Sequence, residues 1–282
     1  MEGDTFLWHS ARGPVTFARH AGIMGIINIT ADSFFSASRV TDTGKVVERA
    51  LQMVRDGADL IDLGAESSRP GSSPVSAETE MERLLPVLDA LSKEEGCCPI
   101  SVDTYHAKTA AAVLEHGATV INDISACSFD PELTDVLVQY KPAYVLMHCQ
   151  GKPATMQDCP HYDNVTDEVA AFFARHMDRL VAAGLPEENI ILDPGIGFGK
   201  KSGHNLALMA HPEAWAGLGR PSLMALSMKS VFQDVLGLPV DKRGQATQVA
   251  TALTFEKGYL WHRVHDVAST RQTLDLCGAI PK

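Results

Sequence analysis

The chain has 282 residues, 45% hydrophobic and 21% charged, which is ordinary usage for a folded globular protein. A net charge of -11 argues against nucleic acid or an anionic membrane as the main partner, because either rewards a basic surface. Glu2, Asp4, Arg12 and Arg19 interrupt any secretory core at the start, and no later run approaches the roughly 18 apolar residues of a membrane span, so a cytoplasmic protein is expected.

In chain order, Phe6-Leu7-Trp8 and Val15-Thr16-Phe17 flank His9 to Pro14, a pattern for a short hairpin within residues 1–20 that plugs the floor of whatever follows. Apolar runs closed by Gly, Asn, Asp or Ser then recur, predicting strands at Gly22 to Asn28, Leu60 to Gly64, Ile100 to Asp103, Val120 to Asp123, Tyr144 to Met147, Ile190 to Asp193, Ser222 to Ser227 and Tyr259 to His265. Helical segments separate them. From Ala77 to Ser92, Met81, Leu84, Leu85, Leu88 and Leu91 keep three-to-four-residue spacing behind Glu78, Glu80 and Glu82 at the positive helix start. A second helix runs from Val165 to Ala183 and stops at Gly184-Leu185-Pro186. Eight buried strands, each covered by its helix, fit an α/β fold: one (β/α)₈ TIM barrel spanning 1–282 with no dividing linker.

Active sites of such barrels gather where the strands end, so polar residues closing the runs are the candidates. They are Asn28, Glu66 to Arg69, Asp103, Asn122 with Asp123, His148, Asp193, Ser227 with Lys229, and Arg263 with His265. Taken singly, each is as readily a cap or turn former. As a set they divide chemically. Asp103, Asn122 and Asp193 offer acceptors suited to the amino and ring N–H groups of a pterin. Arg69, Lys229, Arg263 and His265 offer the positive charge that phosphate oxygens require. Asn28 has an oxygen suited to Mg²⁺ bridging a pyrophosphate.

Other signals read more plainly. Gly195-Ile-Gly-Phe-Gly-Lys-Lys-Ser202 lacks nucleotide P-loop spacing and reads as a tight loop at the barrel mouth, with Lys200 and Lys201 solvated. His148 and Cys149 have no further ligand at zinc-like spacing, which favours a hydrogen-bonded barrel histidine. Six cysteines without Cys-x-x-Cys read as reduced thiols, and Glu187-Glu188 as turn or surface chemistry.

From Ile23 onward the chain resembles the dihydropteroate synthase family. The resembling stretches are Gly25-Ile-Ile-Asn-Ile-Thr-Ala-Asp-Ser-Phe34, Gly64-Ala-Glu-Ser-Ser-Arg-Pro-Gly71, Ile100-Ser-Val-Asp-Thr104, Ile121-Asn-Asp-Ile124, Met147-His148, Gly151 to Gln157, Leu192-Asp-Pro-Gly-Ile-Gly-Phe-Gly-Lys200, Ser227-Met-Lys-Ser230 and Arg263-Val-His-Asp-Val267. The resemblance implies a pterin pocket of Asp103, Asn122, Asp193 and Lys229 with Arg263 over the pterin face, and a pyrophosphate near Asn28, Arg69, Arg263 and His265. It places Ser68 and Arg69 on a second loop, and Phe198 and Ser227 beside para-aminobenzoate. Asp103, Lys229 and Arg263 are the residues expected to carry the reaction, with Mg²⁺ as cofactor and a homodimer as the assembly. The chain departs from the family pattern in four places: the first loop, where Ala31 stands for proline and Phe35-Ser36-Ala37-Ser38 replaces a stretch with a carboxylate and two glycines; Met228 for arginine; Ser68 for threonine; and Ala65 for glycine. Two other readings remain open at this point: a pterin-dependent methyltransferase, and a pterin-binding paralogue with little turnover.

Overall fold

Residues 8–17, 19–29, 39–66, 75–152 and 155–281 are described by the structure, a computed structural model. The expected Ser68 and Arg69, and the altered stretch Ala31 to Ser38, lie outside them. The elements run β1 (Gly22–Asn28), α1 (Arg39–Arg55), β2 (Leu60–Gly64), α2 (Ala77–Leu91), β3 (Ile100–Asp103), α3 (Ala107–Glu115), β4 (Val120–Asp123), α4 (Leu133–Tyr140), β5 (Ala143–Met147), α5 (Val165–Ala183), β6 (Ile190–Asp193), α6 (Ser202–Ala210), α7 (Glu213–Ala216), β7 (Leu223–Met224), α8 (Val231–Leu236), α9 (Gly244–Glu256), β8 (Trp261–Val264) and α10 (Val267–Ala279).

The strands form one parallel sheet in the order β6-β5-β4-β3-β2-β1-β8-β7, and the parallel bridge Leu192↔Ser222 joins its two ends into the expected barrel. Strand faces alternate with period two, and this separates two apolar layers. Outward residues such as Ile61, Leu63, Val102, Ile121, Leu146 and Leu192 pack under the helices, while Met24, Leu60, Val120, Val145, Ile191, Leu223 and Trp261 fill the barrel interior.

The helices start and stop on local chemistry. Ser76 caps α2 by accepting from the N–H of Thr79, Asn164 caps α5, and Gly184 ends α5 at φ +115°, a left-handed conformation that costs glycine little. Two strands are shorter than expected. The run from Ser222 to Ser227 is a strand only at Leu223–Met224, beside the single bridge at Ser222, and the run from Tyr259 to His265 only at Trp261–Val264. Past β7 and β8 the chain leaves the ladder, and Ser227 and His265 meet there at 2.9 Å.

The N-terminal hairpin is present as one antiparallel bridge, Trp8↔Val15. Both side chains are buried among the interior apolar residues, with Trp8 edge-on to Trp261 at 5.4 Å and its indole N–H donating to the Asn189 carbonyl at 2.7 Å. Trp8 therefore closes the barrel floor. Trp8→Ala is expected to cost about 3–5 kcal/mol, as large aromatic truncations in cores do. Urea unfolding would measure that loss.

Candidate active site

The same inward faces that are apolar at the floor turn polar two residues later. Leu60 is followed by Asp62, Val120 by Asn122, Ile191 by Asp193, Trp261 by Arg263, and Ala225 by Ser227. Period two thus delivers these groups to the C-terminal mouth, where β3 adds Asp103 in register with Asn122.

Arg263 organises the cluster. Its Nε donates to Asp62 Oδ2 at 2.7 Å and its Nη2 to Asp103 Oδ2 at 2.9 Å. The Asp62 side chain is fully buried, whereas Arg263 and Asp103 keep 14% and 15% of their side-chain surface, so these two face the mouth. Asp62 also accepts from Ser101 Oγ at 2.5 Å and from Asn122 Nδ2 at 3.1 Å. Because that bond occupies the Asn122 amide nitrogen, the amide oxygen is left to accept from a ligand. Asp62 was not among the sequence candidates. It sits inside an apolar run rather than at its end, and only its position two residues beyond the floor residue Leu60 signals it.

Burial pushes the Asp103 carboxyl up to about 7, against the pull of Arg263, and raises Asp193 as well. Asp193 Oδ1 accepts from the Gly195 N–H at 2.7 Å. Burial depresses the Lys229 ammonium to about 8, with Asp193 opposing, and its Nζ lies 4.4 Å from the Phe198 ring centroid. Lys229 is thus charged at neutral pH and loses its proton as pH rises through about 8. The affinity of a ligand that accepts from Lys229 should fall above that point when measured calorimetrically, and Lys229→Met should abolish this limb; a flat affinity to pH of about 9.5 would remove Lys229 from the ligand contacts.

Ser227 Oγ bonds His265 Nδ1 at 2.9 Å and accepts from the His265 N–H at 3.2 Å, linking β7 to the end of β8. Met228 follows at φ +61°, its carbonyl accepting from Arg243 Nη1 at 2.9 Å and its N–H donating to Thr247 at 3.3 Å. This pinned left-handed turn aims Ser227 and Lys229 inward together. On β1, Asn28 is exposed at the strand end, and its Oδ1 lies 3.4 Å from where a Cβ on Gly64 would stand.

Three sequence expectations resolve differently. Lys200 is not solvated: it is 3% exposed, with its Nζ 2.8 Å from His148 Nδ1, although Lys201 is exposed as expected. The physical reason is that the glycine-rich loop lies against the segment after β5 and encloses the side chain. Asp123, on the opposite face of β4 from Asn122, points under the helices and is structural, accepting from the N–H groups of Ser125 and Cys127 and from the Tyr144 hydroxyl. Glu66, a candidate for the mouth, accepts from the Tyr105 hydroxyl and from the Val75 N–H.

The cluster therefore pairs a cationic fork with buried acceptors at the mouth of a barrel. A family profile described as "Pterin binding enzyme" matches residues 24–265. The chain is 38% identical to a dihydropteroate synthase of Bacillus subtilis (strain 168), over 94% of this chain and 90% of that one. The chain belongs to the dihydropteroate synthase family. Solved members of that family superpose along nearly the whole chain. A Yersinia pestis dihydropteroate synthase with a sulfonamide drug gives a TM-score of 0.89 at 33% identity, covering 97% of this chain and 98% of that one. A Xanthomonas albilineans dihydropteroate synthase with 4-aminobenzoic acid gives 0.88 at 34%, covering 99% and 100%.

Proposed function

We propose that this chain joins 6-hydroxymethyl-7,8-dihydropterin pyrophosphate to para-aminobenzoate, releasing pyrophosphate and 7,8-dihydropteroate, a transferase step of folate biosynthesis. The observation that carries this reading is the Arg263 fork between Asp62 and Asp103, adjoining the acceptors Asn122 and Asp193 and the ammonium of Lys229. Asn122 and Asp193 take the pterin amino and ring N–H groups, and Lys229 donates to its carbonyl oxygen. Arg263 lies over the ring, and with His265, Asn28 and Arg69 it meets the pyrophosphate. Ser68, next to Arg69 in the sequence, is read as a further substrate contact, and Phe198 and Ser227 line the aminobenzoate subsite.

In the reaction the bond from the pterin methylene to the pyrophosphate oxygen breaks, and the arylamine nitrogen bonds to that carbon and loses a proton. No covalent enzyme intermediate is needed. The protein's contribution is orientation and fixed charge: cations face the leaving group, and the Asp103 and Asp62 carboxylates stabilise positive charge on the pterin. Asn28 fits a weakly held Mg²⁺, because an exposed neutral oxygen at the mouth is what a cation keeping its waters and binding mainly to phosphate requires. When bound there, Mg²⁺ would neutralise pyrophosphate charge.

We further read residues 1–282 as one domain, with 1–20 as its hairpin extension, working in the cytoplasm as a homodimer. Among the described residues no helix is long and apolar enough to cross a membrane. A groove between α6, α8 and α9 carries the exposed side chains Leu206, Val235, Leu236, Val249 and Leu253, an apolar concentration that supports a second copy as its cover. Light scattering should give a dimer, and Leu253→Glu with Val249→Glu a monomer.

The deciding experiment supplies purified protein with both substrates, with and without Mg²⁺, and follows dihydropteroate and pyrophosphate together. Equal, Mg²⁺-dependent release of both supports the synthase. Pterin binding without turnover would point to a non-catalytic paralogue.

A further inference from the structure

Lys200 is a buried ammonium without a counter-ion: among the described residues no carboxylate hydrogen-bonds it. Its Nζ lies 2.8 Å from His148 Nδ1 and donates to the carbonyls of Gly195 and Phe198, both at 3.0 Å, and of His148 at 3.2 Å. Burial lowers this ammonium to about 7, and burial together with the Lys200 charge lowers His148 to about 2, so the imidazole is neutral and Nδ1 accepts. A buried cation hydrogen-bonded only by neutral acceptors, with Asp193 favouring it through space, is costly to the fold, so what it holds in place becomes the question.

What it holds is the turn after β6. Gly195 and Gly199 have φ of +66° and +62°, and a Cβ on them would stand 2.0 Å from the His148 carbonyl oxygen and 2.3 Å from that of Gln150. The turn therefore lies backbone to backbone on the segment following β5, and Lys200 braces the two from beneath. The Asp193 backbone is secured by the strand ladder, in register with Met147 and with its carbonyl accepting from the His148 N–H at 3.0 Å, so only its carboxylate contact with the Gly195 N–H depends on the turn. Phe198 is not on a strand. Its N–H closes the turn onto the Gly195 carbonyl at 3.1 Å, and the Lys200 ammonium holds its carbonyl.

We propose that Lys200 is a positioning residue for the arylamine half of the site, fixing the Gly195–Phe198 turn against His148 and thereby the Phe198 ring, without touching either substrate. The proposal rests on the reading of Phe198 as a wall of the aminobenzoate subsite. It separates two halves of one mouth: pterin acceptors on strands, and an arylamine wall on a turn that Lys200 braces from one side while Asn205 accepts from the Gly197 N–H at 2.9 Å.

The test is Lys200→Met, which keeps the length of the side chain and removes its donors. Steady-state kinetics would vary each substrate, calorimetry would give pterin pyrophosphate affinity, and circular dichroism and thermal melting would establish folding. The expected result is an arylamine KM raised about tenfold with pterin affinity within about threefold of wild type. A folded variant with an unchanged arylamine KM, or with both affinities falling in parallel, overturns the proposal, since a merely structural brace moves Tm without selecting one substrate. Should Lys200→Met fail to fold, His148→Leu removes one acceptor of the same brace. It is expected to raise the arylamine KM by about threefold alone, and no rise in the folded protein overturns the proposal. Phe198→Ala, measured in parallel, tells the two readings apart. A raised arylamine KM there but not in Lys200→Met leaves the subsite standing and removes Lys200 from it. An unchanged KM in Phe198→Ala overturns the subsite reading of Phe198, and the Lys200 proposal with it.

Discussion

Arg263→Ala is expected to lower kcat/KM by about 10²- to 10⁴-fold and to weaken both pterin and pyrophosphate binding, the loss of two charge-assisted hydrogen bonds at about 1.5–3 kcal/mol each. The same change should cost roughly 3–5 kcal/mol of stability near pH 8, because it breaks a buried ion pair and leaves the opposing carboxylates uncompensated. The stability loss depends on pH in a defined direction. Burial already raises Asp103 to about 7 with Arg263 resisting, so removing the guanidinium moves it higher. An acid with a raised folded value holds a proton that the unfolded chain releases. Stability then falls as pH climbs from the unfolded value of about 4 toward the folded one, and the deficit is complete above it. Urea unfolding should therefore show a smaller deficit near pH 5.5 than near pH 8. Arg263→Lys restores charge without the fork that reaches Asp62 and Asp103 together, so only partial recovery is expected. Calorimetry giving wild-type affinity for both ligands would take Arg263 out of the site.

Much of the fold was legible because buried parallel strands are continuous apolar runs with polar ends. β1, β2, β3, β4 and β6 have the bounds those runs predict. β7 did not follow, for a geometric reason. The barrel closes beside it through one bridge at Ser222, and the chain then leaves the ladder at Ala225 to reach the left-handed turn at Met228, so apolar composition outlasts strand pairing. Among the site candidates, Asn28, Asp103, Asn122, Asp193, Ser227, Lys229, Arg263 and His265 follow or end apolar runs, which is why the pattern reached them. Lys200 was misread because a lysine beside Lys201 in a glycine-rich loop looks solvated. Its burial depends on glycines letting two backbones touch, a tertiary fact with no local periodicity.

Asp62→Asn is the second large effect, and it tests a residue that touches no substrate in the proposed arrangement. Asp62 accepts from Ser101, Asn122 and Arg263 at once, and an amide at this position has one acceptor oxygen and a nitrogen that meets donors. The least costly rearrangement turns the Asn122 amide so that its oxygen accepts from the new side chain and its nitrogen faces the mouth. A pterin N–H then meets a donor where it needs an acceptor, while Arg263 keeps only Asp103. An unmade buried hydrogen bond costs about 1–3 kcal/mol and a weakened charged one adds a similar amount, which together predict a kcat/KM lower by roughly 10²- to 10³-fold. The change should appear mainly as lost pterin affinity, with the arylamine KM little altered, because Phe198 is held by the separate Lys200 brace. Asn122→Asp in the Asp62→Asn background reverses the donor and acceptor roles across the pair, and should recover part of the pterin affinity. No recovery in a folded double variant, or a single variant with wild-type pterin affinity, would show that Asp62 does not set the orientation of Asn122.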